Sequence, residues 1–562
     1  MIPTNSGFIS DKLLLNGPWR AFERVIGRLL LANGFDDVRL VGGTGDAGGD
    51  VLGVLNGELW VIQCKYTSRT PPPRDAIPEV VEAGKFYEAD HLAVAASRPP
   101  GDSFNEEKAR YERRGLKIQV FDPRALFRIL ELTPEYPKCR KKLHDYQEDA
   151  SNRLREALLD TGRGQIVLAT GLGKTVVMAE VVADLLRDNL IEDGRVLVLA
   201  HTRELVDQLH RSFWSQLPKW VSTHQLSEGD APSYWEGVTF ATVQSACSRI
   251  ETLPRFGLVV VDEAHHIGAE TFRSTIAALN PKMLAGVTAT PWRGDSYDLD
   301  HLLGPPLVRI GIAEGLQRGF LADVDYRLLG DNVDWEFIQR VSKYGYSLSQ
   351  LNRSLIIPTR DDEAARIIRE VFDREKRRAG IVFSPTIVHA ESFSAMLRRY
   401  GFQAQAISSE LPPRERDVIM SRFKAGRLDV VTTVDLFNEG VDVPDVDLIV
   451  FMRTTHSRRI FVQQLGRGLR TSPNKDRVVV LDFVTDLRRV AEVVDLDRAI
   501  RAGVVESIGL GSRLLQFSDR SAGTFLREWM LDQASLLLRE GDPVLALPQF
   551  EFPDPPPPGA VQ

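Results

Sequence analysis

The chain has 562 residues, which at roughly 150 residues per domain calls for three or four folded units rather than one. Hydrophobic residues make up 43% and charged residues 26%, a balance that excludes a disordered, collagenous or disulfide-stapled protein. The formal net charge of -7 excludes a histone-like, globally basic binder but leaves room for a local basic groove. The three cysteines, Cys64, Cys139 and Cys247, are too scattered for a C-x-x-C metal pair. The first thirty residues carry Asp11, Lys12, Arg20, Glu23 and Arg24 without a secretory apolar core, and no segment approaches the ~20 apolar residues of a membrane span. A reducing, cytoplasmic setting with no membrane partner is the expectation.

In chain order, the first strong pattern is an amphipathic helix over 19–31, with Phe22, Val25, Ile26, Leu29 and Leu30 at core-facing spacing. Short strands and helices follow through 38–132. Two apolar runs, 51–55 and 58–62, flank Asn56-Gly57, the strongest short hairpin signal. With Asn56 and Gly57 as the loop, antiparallel pairing sets Leu55 opposite Glu58 and, continuing outward, Asp50 opposite Gln63. Period-two alternation brings Lys65 to the same face and turns Cys64 away. A carboxylate, an amide oxygen and an ammonium therefore converge. Such a set can hold Mg²⁺ through Asp50 and Gln63 while Lys65 steadies an attacking water or the charge developing on a phosphate.

The run Gly45-Asp46-Ala47-Gly48-Gly49-Asp50 followed by Gln63-Cys64-Lys65 resembles the Mrr-like branch of the PD-(D/E)XK restriction endonucleases, over about residues 19–130. The resemblance implies an endodeoxyribonuclease with Asp50, Gln63 and Lys65 as catalytic residues and Mg²⁺ as cofactor. Gln63 stands where many relatives carry a second acid, and one negative charge fewer weakens metal affinity in principle. Family analogy gives the helix residue Glu23 a role in supporting the metal; the alternative is a solvated surface glutamate. Asp46 is read as shaping the glycine-rich turn.

A polar, basic stretch, 137–142, marks a linker. From Gln165 onward β-branched runs at 166–168, 196–199, 238–241, 258–261 and 285–287 alternate with amphipathic segments, and a second series follows at 381–383, 430–433, 448–451 and 478–481. Alternation of this kind predicts parallel strands with crossover helices, here two α/β domains in tandem. The run Leu168-Ala169-Thr170-Gly171-Leu172-Gly173-Lys174-Thr175 follows the first of these strands and opens a helix over 176–186. Its glycines, Gly171 and Gly173, let backbone N–H groups close around phosphate oxygens. Lys174 is placed to pair with the β- and γ-phosphates and the Thr175 hydroxyl to reach Mg²⁺. Further on, Asp262 and Glu263 follow an apolar strand at the end where open α/β sheets bind ligands. Asp262 is the candidate holder of hydrated Mg²⁺ and Glu263 the candidate base that activates water.

Residues 143–483 resemble a superfamily 2 helicase of the DEAH-box type, with a motor like that of type III restriction subunits. The A-T-G-x-G-K-T form of the phosphate loop, with Leu168 in place of the first glycine, is usual in that family. Tyr146-Gln147 resembles its adenine-reading segment, so that Gln147, Thr170, Gly171, Gly173, Lys174 and Thr175 become the nucleotide-binding set. Ala200-His201-Thr202-Arg203-Glu204-Leu205 and Thr242-Val243-Gln244-Ser245 resemble strand-contacting motifs, which implies nucleic-acid contacts by Thr202, Arg203 and Gln244. Thr288-Ala289-Thr290-Pro291 resembles the motif coupling hydrolysis to movement. Residues 435–444, with Asp442 as a nucleotide contact, and 463–470 resemble the last two motifs. Within the latter, Arg467 and Arg470 can bring positive charge to the transferring γ-phosphoryl group, a contribution of about 10³ to 10⁵ in rate.

The expected architecture is therefore α/β: an Mrr-like nuclease domain (1–135), a RecA-like ATP-binding domain (136–322), a second RecA-like domain (323–494), and a helical C-terminal segment (495–562) with a proline-rich tail. The expected function is an ATP-dependent DNA helicase or translocase coupled to a Mg²⁺-dependent endonuclease, acting on double- or single-stranded DNA in bacterial restriction, anti-phage defence or repair. Protein partners would come from such a system. The alternatives are a DNA-remodelling ATPase whose N-terminal domain binds without cutting, and an RNA helicase. His201 and His389 have no metal partner in the sequence pattern, and Trp292, Arg293 and the basic runs 374–378 and 453–459 are read as packing or solvated surface.

Overall fold

The structure is a computed structural model that describes residues 7–41, 49–227, 229–289, 299–311, 314–315, 318–328, 331–333, 356–357, 361–434, 446–452, 475, 477–483 and 515–517. The chain divides into two compact units, one of Met1–Leu168 with Gly173–Arg309 and one of Ala169–Leu172 with Ile310–Gln562.

The first unit opens with helices α1 (Asp11–Asn16) and α2 (Trp19–Ala32) and a five-stranded sheet. Its strands β1 (Asp36–Leu40), β2 (Val51–Leu55), β3 (Glu58–Lys65), β4 (His91–Ala96) and β5 (Ile118–Phe121) lie in sequence order. The first three pair antiparallel and the last three parallel. Asn56 and Gly57 both have positive φ (54° and 86°), the type of two-residue turn whose twist suits a hairpin, and Leu55 pairs with Glu58 as the Asn-Gly signal predicts. Alternation divides the apolar residues between two cores. Val51, Ile62 and Cys64 pack with Phe22, Ile26 and Leu30 of α2 and with Leu126 and Leu130 of α5 (Pro123–Leu132). Leu52, Val61 and Val94 pack with Ile77 and Val80 of α3 (Ala76–Tyr87) and with Phe104 of α4 (Asp102–Glu112).

After α6 (Asp145–Asp160), the same unit forms a seven-stranded sheet in the order β12-β6-β11-β10-β7-β9-β8. These are β6 (Arg163–Leu168), β7 (Arg195–Ala200), β8 (Thr223–Leu226), β9 (Gly237–Thr242), β10 (Leu258–Asp262), β11 (Met283–Thr288) and β12 (Val308–Ile310). Pairing is parallel from β6 through β8. Helices α7 (Lys174–Arg187) and α8 (Arg203–Trp214) follow β6 and β7 directly. Consequently the chain segments after β6, β7 and β10 all leave the sheet at its carboxyl-terminal edge, where α/β sheets place their ligands. The first series of β-branched runs expected as strands lies in this sheet. The short β8, Thr-His-Gln-Leu, has too few β-branched residues to stand out.

The second unit has a parallel sheet in the order Ala404–Ile407, Val430–Thr433, Gly380–Phe383, Leu448–Phe451, Arg477–Asp482, Asp323–Leu328, Leu515–Phe517. Helices Asp361–Arg374 and Ile387–Arg399 cover it, with Ile368, Phe372, Phe393 and Leu397 buried against Val382, Val430 and Leu448. The described part of the segment expected to be helical after 495 is the edge strand Leu515–Phe517, and the rest of that segment lies outside the described residues. Arg377, from one of the basic runs, is buried and donates to the backbone carbonyls of Glu375 and Arg477.

Candidate active sites

The hairpin register extends to the first site. Asp50 N–H donates to the Ile62 carbonyl at 3.0 Å, which sets Asp50 beside Gln63, and Asp50 Oδ2 accepts from Cys64 N–H at 2.6 Å. Asp50 and Gln63 are both 4% exposed. Gln63 Oε1 is buried and, among the described residues, has no hydrogen-bond partner. An orphaned buried acceptor costs roughly 1–3 kcal/mol, so it asks for an explanation such as an ion. A hard oxygen beside a buried carboxylate fits Mg²⁺, which is commonly held by one or two protein oxygens and completes its shell with water. The described residues contain no cluster of three or more His, Cys, Asp or Glu side chains suited to a metal.

Lys65 shares the Asp50–Gln63 face and forms an ion pair with Glu79 of α3. Nothing in sequence spacing singles out Glu79, because it sits fourteen residues beyond Lys65 on another element. Glu23 is 7% exposed, so the solvated-surface reading of this residue does not hold. Its negative charge reaches Cys64 on the α2 side of the sheet: burial first, then Asp50 and Glu23, push the Cys64 thiol well above its ordinary range, against the opposing pull of Lys65. Cys64 thus stays a neutral thiol. Asp46 lies outside the described residues.

The second site lies where β6 and β10 end. Gly171 and Gly173 have φ of 96° and 79°, in the left-handed region that an L side chain rarely adopts, and Lys174 and Thr175 begin α7. A Cβ on Gly173 would overlap Gln147 Nε2, so the absence of a side chain there lets the Gln147 amide rest on the loop. Gln147 is buried at the start of α6; its Oε1 accepts from His144 N–H (3.0 Å) and its Nε2 donates to the Tyr146 hydroxyl (3.2 Å). Burial pushes that hydroxyl up to about 12, so it remains protonated. The glutamine caps its helix as well as touching the phosphate loop.

Lys174 Nζ lies 3.9 Å from Glu263 Oε1 and donates to the Leu168 carbonyl at 3.4 Å. Asp262 ends β10 and is buried, and Glu263 adopts φ 48°, ψ 54°. His265 Nδ1 stands 2.8 Å from Thr288 Oγ1 and 3.2 Å from Glu263 Oε2, so the carboxylate and the end of β11 share one polar contact. His266, next in the chain, stacks on His201 with ring centroids 4.5 Å apart and planes at 11°. That stack ties the segment after Glu263 to the residue preceding Thr202. Sequence spacing could not reveal it, because tertiary packing brings the two rings together.

Thr202 caps α8, accepting from Leu205 N–H at 3.3 Å. Arg203 is exposed at the head of that helix and, among the described residues, has no acidic partner. Gln244 is exposed on the helix Val243–Cys247. Arg467, Arg470, Asp442, Thr290, Trp292 and Arg293 lie outside the described residues.

Three family models match the chain: "Restriction endonuclease", of the Mrr catalytic type, over residues 14–130; "Type III restriction enzyme, res subunit" over 140–293; and "Helicase conserved C-terminal domain" over 363–472. Among similar proteins, the putative ATP-dependent helicase IRC3 of Saccharomyces cerevisiae is 27% identical over 61% of this chain and 51% of its own length. The DNA 3'-5' translocase XPB2 of Sulfurisphaera tokodaii is 26% identical over 70% of this chain and 95% of its own. The chain therefore spans about half of the yeast relative and nearly all of the archaeal one. In fold, it is similar to the ATP-dependent type ISP restriction-modification enzyme LlaBIII, solved bound to DNA, with a TM-score of 0.53 and 17% identity over 91% of this chain and 41% of that one. Joined in this order on one polypeptide, the matched segments are those of a superfamily 2 helicase with an N-terminal Mrr-type restriction endonuclease domain.

Proposed function

We propose that the protein is an ATP-driven DNA helicase or translocase whose N-terminal domain cuts DNA with Mg²⁺. The observation that carries this reading is the presence of two separate residue sets on one chain: Asp50, Gln63 and Lys65 on a shared hairpin face, and Lys174, Asp262 and Glu263 at one edge of a parallel sheet. The domain order follows the spans 1–135, 136–322, 323–494 and 495–562.

In the motor, Thr170, Gly171 and Gly173 would present backbone N–H groups to phosphates, Lys174 would neutralise their charge, and Gln147 would read the base. Thr175 and Asp262 would hold Mg²⁺, which supplies charge neutralisation when bound. Glu263, 3.9 Å from Lys174 Nζ, would take the proton of the attacking water. Arg467 and Arg470 would stabilise the transferring phosphoryl group, with Asp442 a further nucleotide contact. Thr202, Arg203 and Gln244 would grip the strand. In the nuclease, Asp50 and Gln63 would hold the metal and Lys65, released from Glu79, would face the phosphate. The setting we propose is cytoplasmic, in restriction, defence or repair; among the described residues no helix is long and apolar enough to cross a membrane.

A second reading has specific support: the neutral Gln63 and the engagement of Lys65 by Glu79 both suit a domain that grips DNA without cutting it. Purified protein incubated with duplex DNA, single-stranded DNA and RNA, with and without ATP, separates the two when phosphate release and strand cutting are both scored. DNA-stimulated phosphate release with Mg²⁺-dependent cutting supports the first reading. Phosphate release without cutting under any Mg²⁺ or Mn²⁺ condition leaves the second.

A further inference from the structure

Helix α2 serves two parts of the first unit at once. Its apolar residues Phe22, Ile26 and Leu30 pack behind β2 and β3, against Val51, Ile62 and Cys64. Two of its three arginines, Arg24 and Arg28, reach the other way, into the segment between α8 and β9. Arg24 makes a bidentate pair with Asp230 (2.6 and 3.1 Å) and also donates to Gln225 Oε1 at 3.1 Å. Arg28 donates to the Val221 carbonyl at 2.6 Å and the Pro218 carbonyl at 3.0 Å, with its guanidinium 4.2 Å from the Phe8 ring centroid. Arg24 is 7% exposed and Arg28 1%.

Burying two guanidinium groups is unfavourable unless each is fully bonded in one geometry. A domain hanging from a flexible linker would have no use for such an arrangement, and contacts of loosely attached domains are ordinarily wetter. A second tie runs in parallel. Lys219 Nζ donates to the carbonyls of Leu130 (3.2 Å), Glu131 (3.2 Å) and Thr133 (2.7 Å) at the end of α5, where cations complement the helix dipole. Phe8 N–H also donates to the Lys219 carbonyl at 2.8 Å.

The link to chemistry is Cys64. Its side chain packs in the core that α2 closes, and its N–H holds the Asp50 carboxylate from behind. Displacing α2 would displace β3 and, with it, the acceptor geometry of Asp50.

We propose that Arg24 and Arg28 are positioning residues of the nuclease centre, through which the first ATPase lobe holds α2, β3 and the Asp50 carboxylate in cutting geometry. The cutting part of this inference rests on the nuclease reading above. The positioning part does not.

The test uses the full chain and three variants: Asp230→Asn, which keeps the shape and removes the charge; Asp230→Ala; and the exchanged pair Arg24→Asp with Asp230→Arg. Two further readouts accompany cleavage: DNA-stimulated ATPase, and hydrogen exchange of peptides covering α2 and β3, including the Cys64 amide. Both single variants should speed exchange in α2 and β3 by roughly tenfold or more while the ATPase holds. They should also raise the Mg²⁺ needed for half-maximal cutting and lower its rate by about tenfold or more, the scale of a misplaced reacting group. The exchanged pair should recover part of both losses. Unchanged β3 exchange and unchanged cutting in Asp230→Ala would overturn the proposal. So would loss of ATPase in step with cutting in every variant, because the pair would then merely hold the fold. If the wild-type protein cuts no DNA, the nuclease reading fails, and the exchange comparison alone still decides whether Arg24 positions β3.

Discussion

Glu263 is held at φ 48°, a conformation that costs a non-glycine residue about 1 to 3 kcal/mol and that persists only where its surroundings enforce it. Those surroundings are Lys174 on one side and His265 with Thr288 on the other. Glu263→Gln keeps the shape and removes the proposed proton acceptor, so DNA-stimulated ATP hydrolysis should fall by at least about 10², the lower range for a lost general base, while ATP binding remains. Steady-state turnover and nucleotide affinity measured on one preparation check this; near-normal turnover would show that another group activates the water. At the other centre the decisive residue is Gln63, a buried amide with an orphaned oxygen where a second carboxylate would repel Asp50. Gln63→Glu should tighten binding of Mn²⁺, read by titration of nucleotide-free protein, because a second charge is stabilised only when a cation is present. Equal affinity in both forms would mean that Gln63 faces no metal.

Among the elements, the hairpin was open to prediction and the α2 contact was not. Asn56-Gly57 determines its own turn, and a two-residue turn dictates every pairing outward from Leu55 and Glu58, so Asp50 and Gln63 could be matched from local chemistry alone. The phosphate loop and the strand before Asp262 were legible for the same reason, each being continuous in the chain. Gln147 was legible only through a family resemblance, and Lys65–Glu79, His201–His266 and Arg24–Asp230 not at all, because each pair is brought together by tertiary packing that no periodicity encodes. The surroundings of Arg24 and Arg28 also carry a pH signature. His224, buried with its Nε2 2.9 Å from the Glu236 carbonyl, is pushed down to about 4, first by burial and then by Arg24 and Arg28 despite the opposing pull of Glu236. It is therefore neutral in the folded chain. Unfolded, it would take up a proton near its ordinary 6.5, so the stability it secures is complete above that pH and is lost as pH falls from 6.5 towards 4. The loss amounts to roughly 3 kcal/mol at the acid end. His210, also buried and held neutral by burial and by the same arginines, adds in the same direction. Denaturant unfolding at pH 7.5 and pH 5 should show a smaller difference for His224→Gln than for the wild type. An identical pH dependence would mean that the ring is solvated.

For the whole molecule, the question is whether cutting needs the motor or only rides with it. Asp50, Gln63 and Lys65 lie at the hairpin of the five-stranded sheet, and Lys174 begins α7 beside the seven-stranded sheet, so none of these side chains serves both centres. The two sheets nevertheless belong to one compact unit, joined through α2 and Lys219. Lys174→Ala removes the proposed phosphate contact without touching Arg24, Arg28 or the hairpin. ATP hydrolysis should therefore disappear while the nuclease centre keeps its geometry. The expected result is that Lys174→Ala still nicks a short duplex in Mg²⁺ at near the wild-type rate, and loses only the cutting of long DNA that depends on ATP. Asp50→Ala should give the converse, with no cutting of either substrate and an intact DNA-stimulated ATPase. Parallel assays on short and long duplexes, with and without ATP, distinguish delivery from activation: if Lys174→Ala fails on the short duplex as well, nucleotide binding itself must switch the nuclease on, and the path for that signal would be sought first along α2.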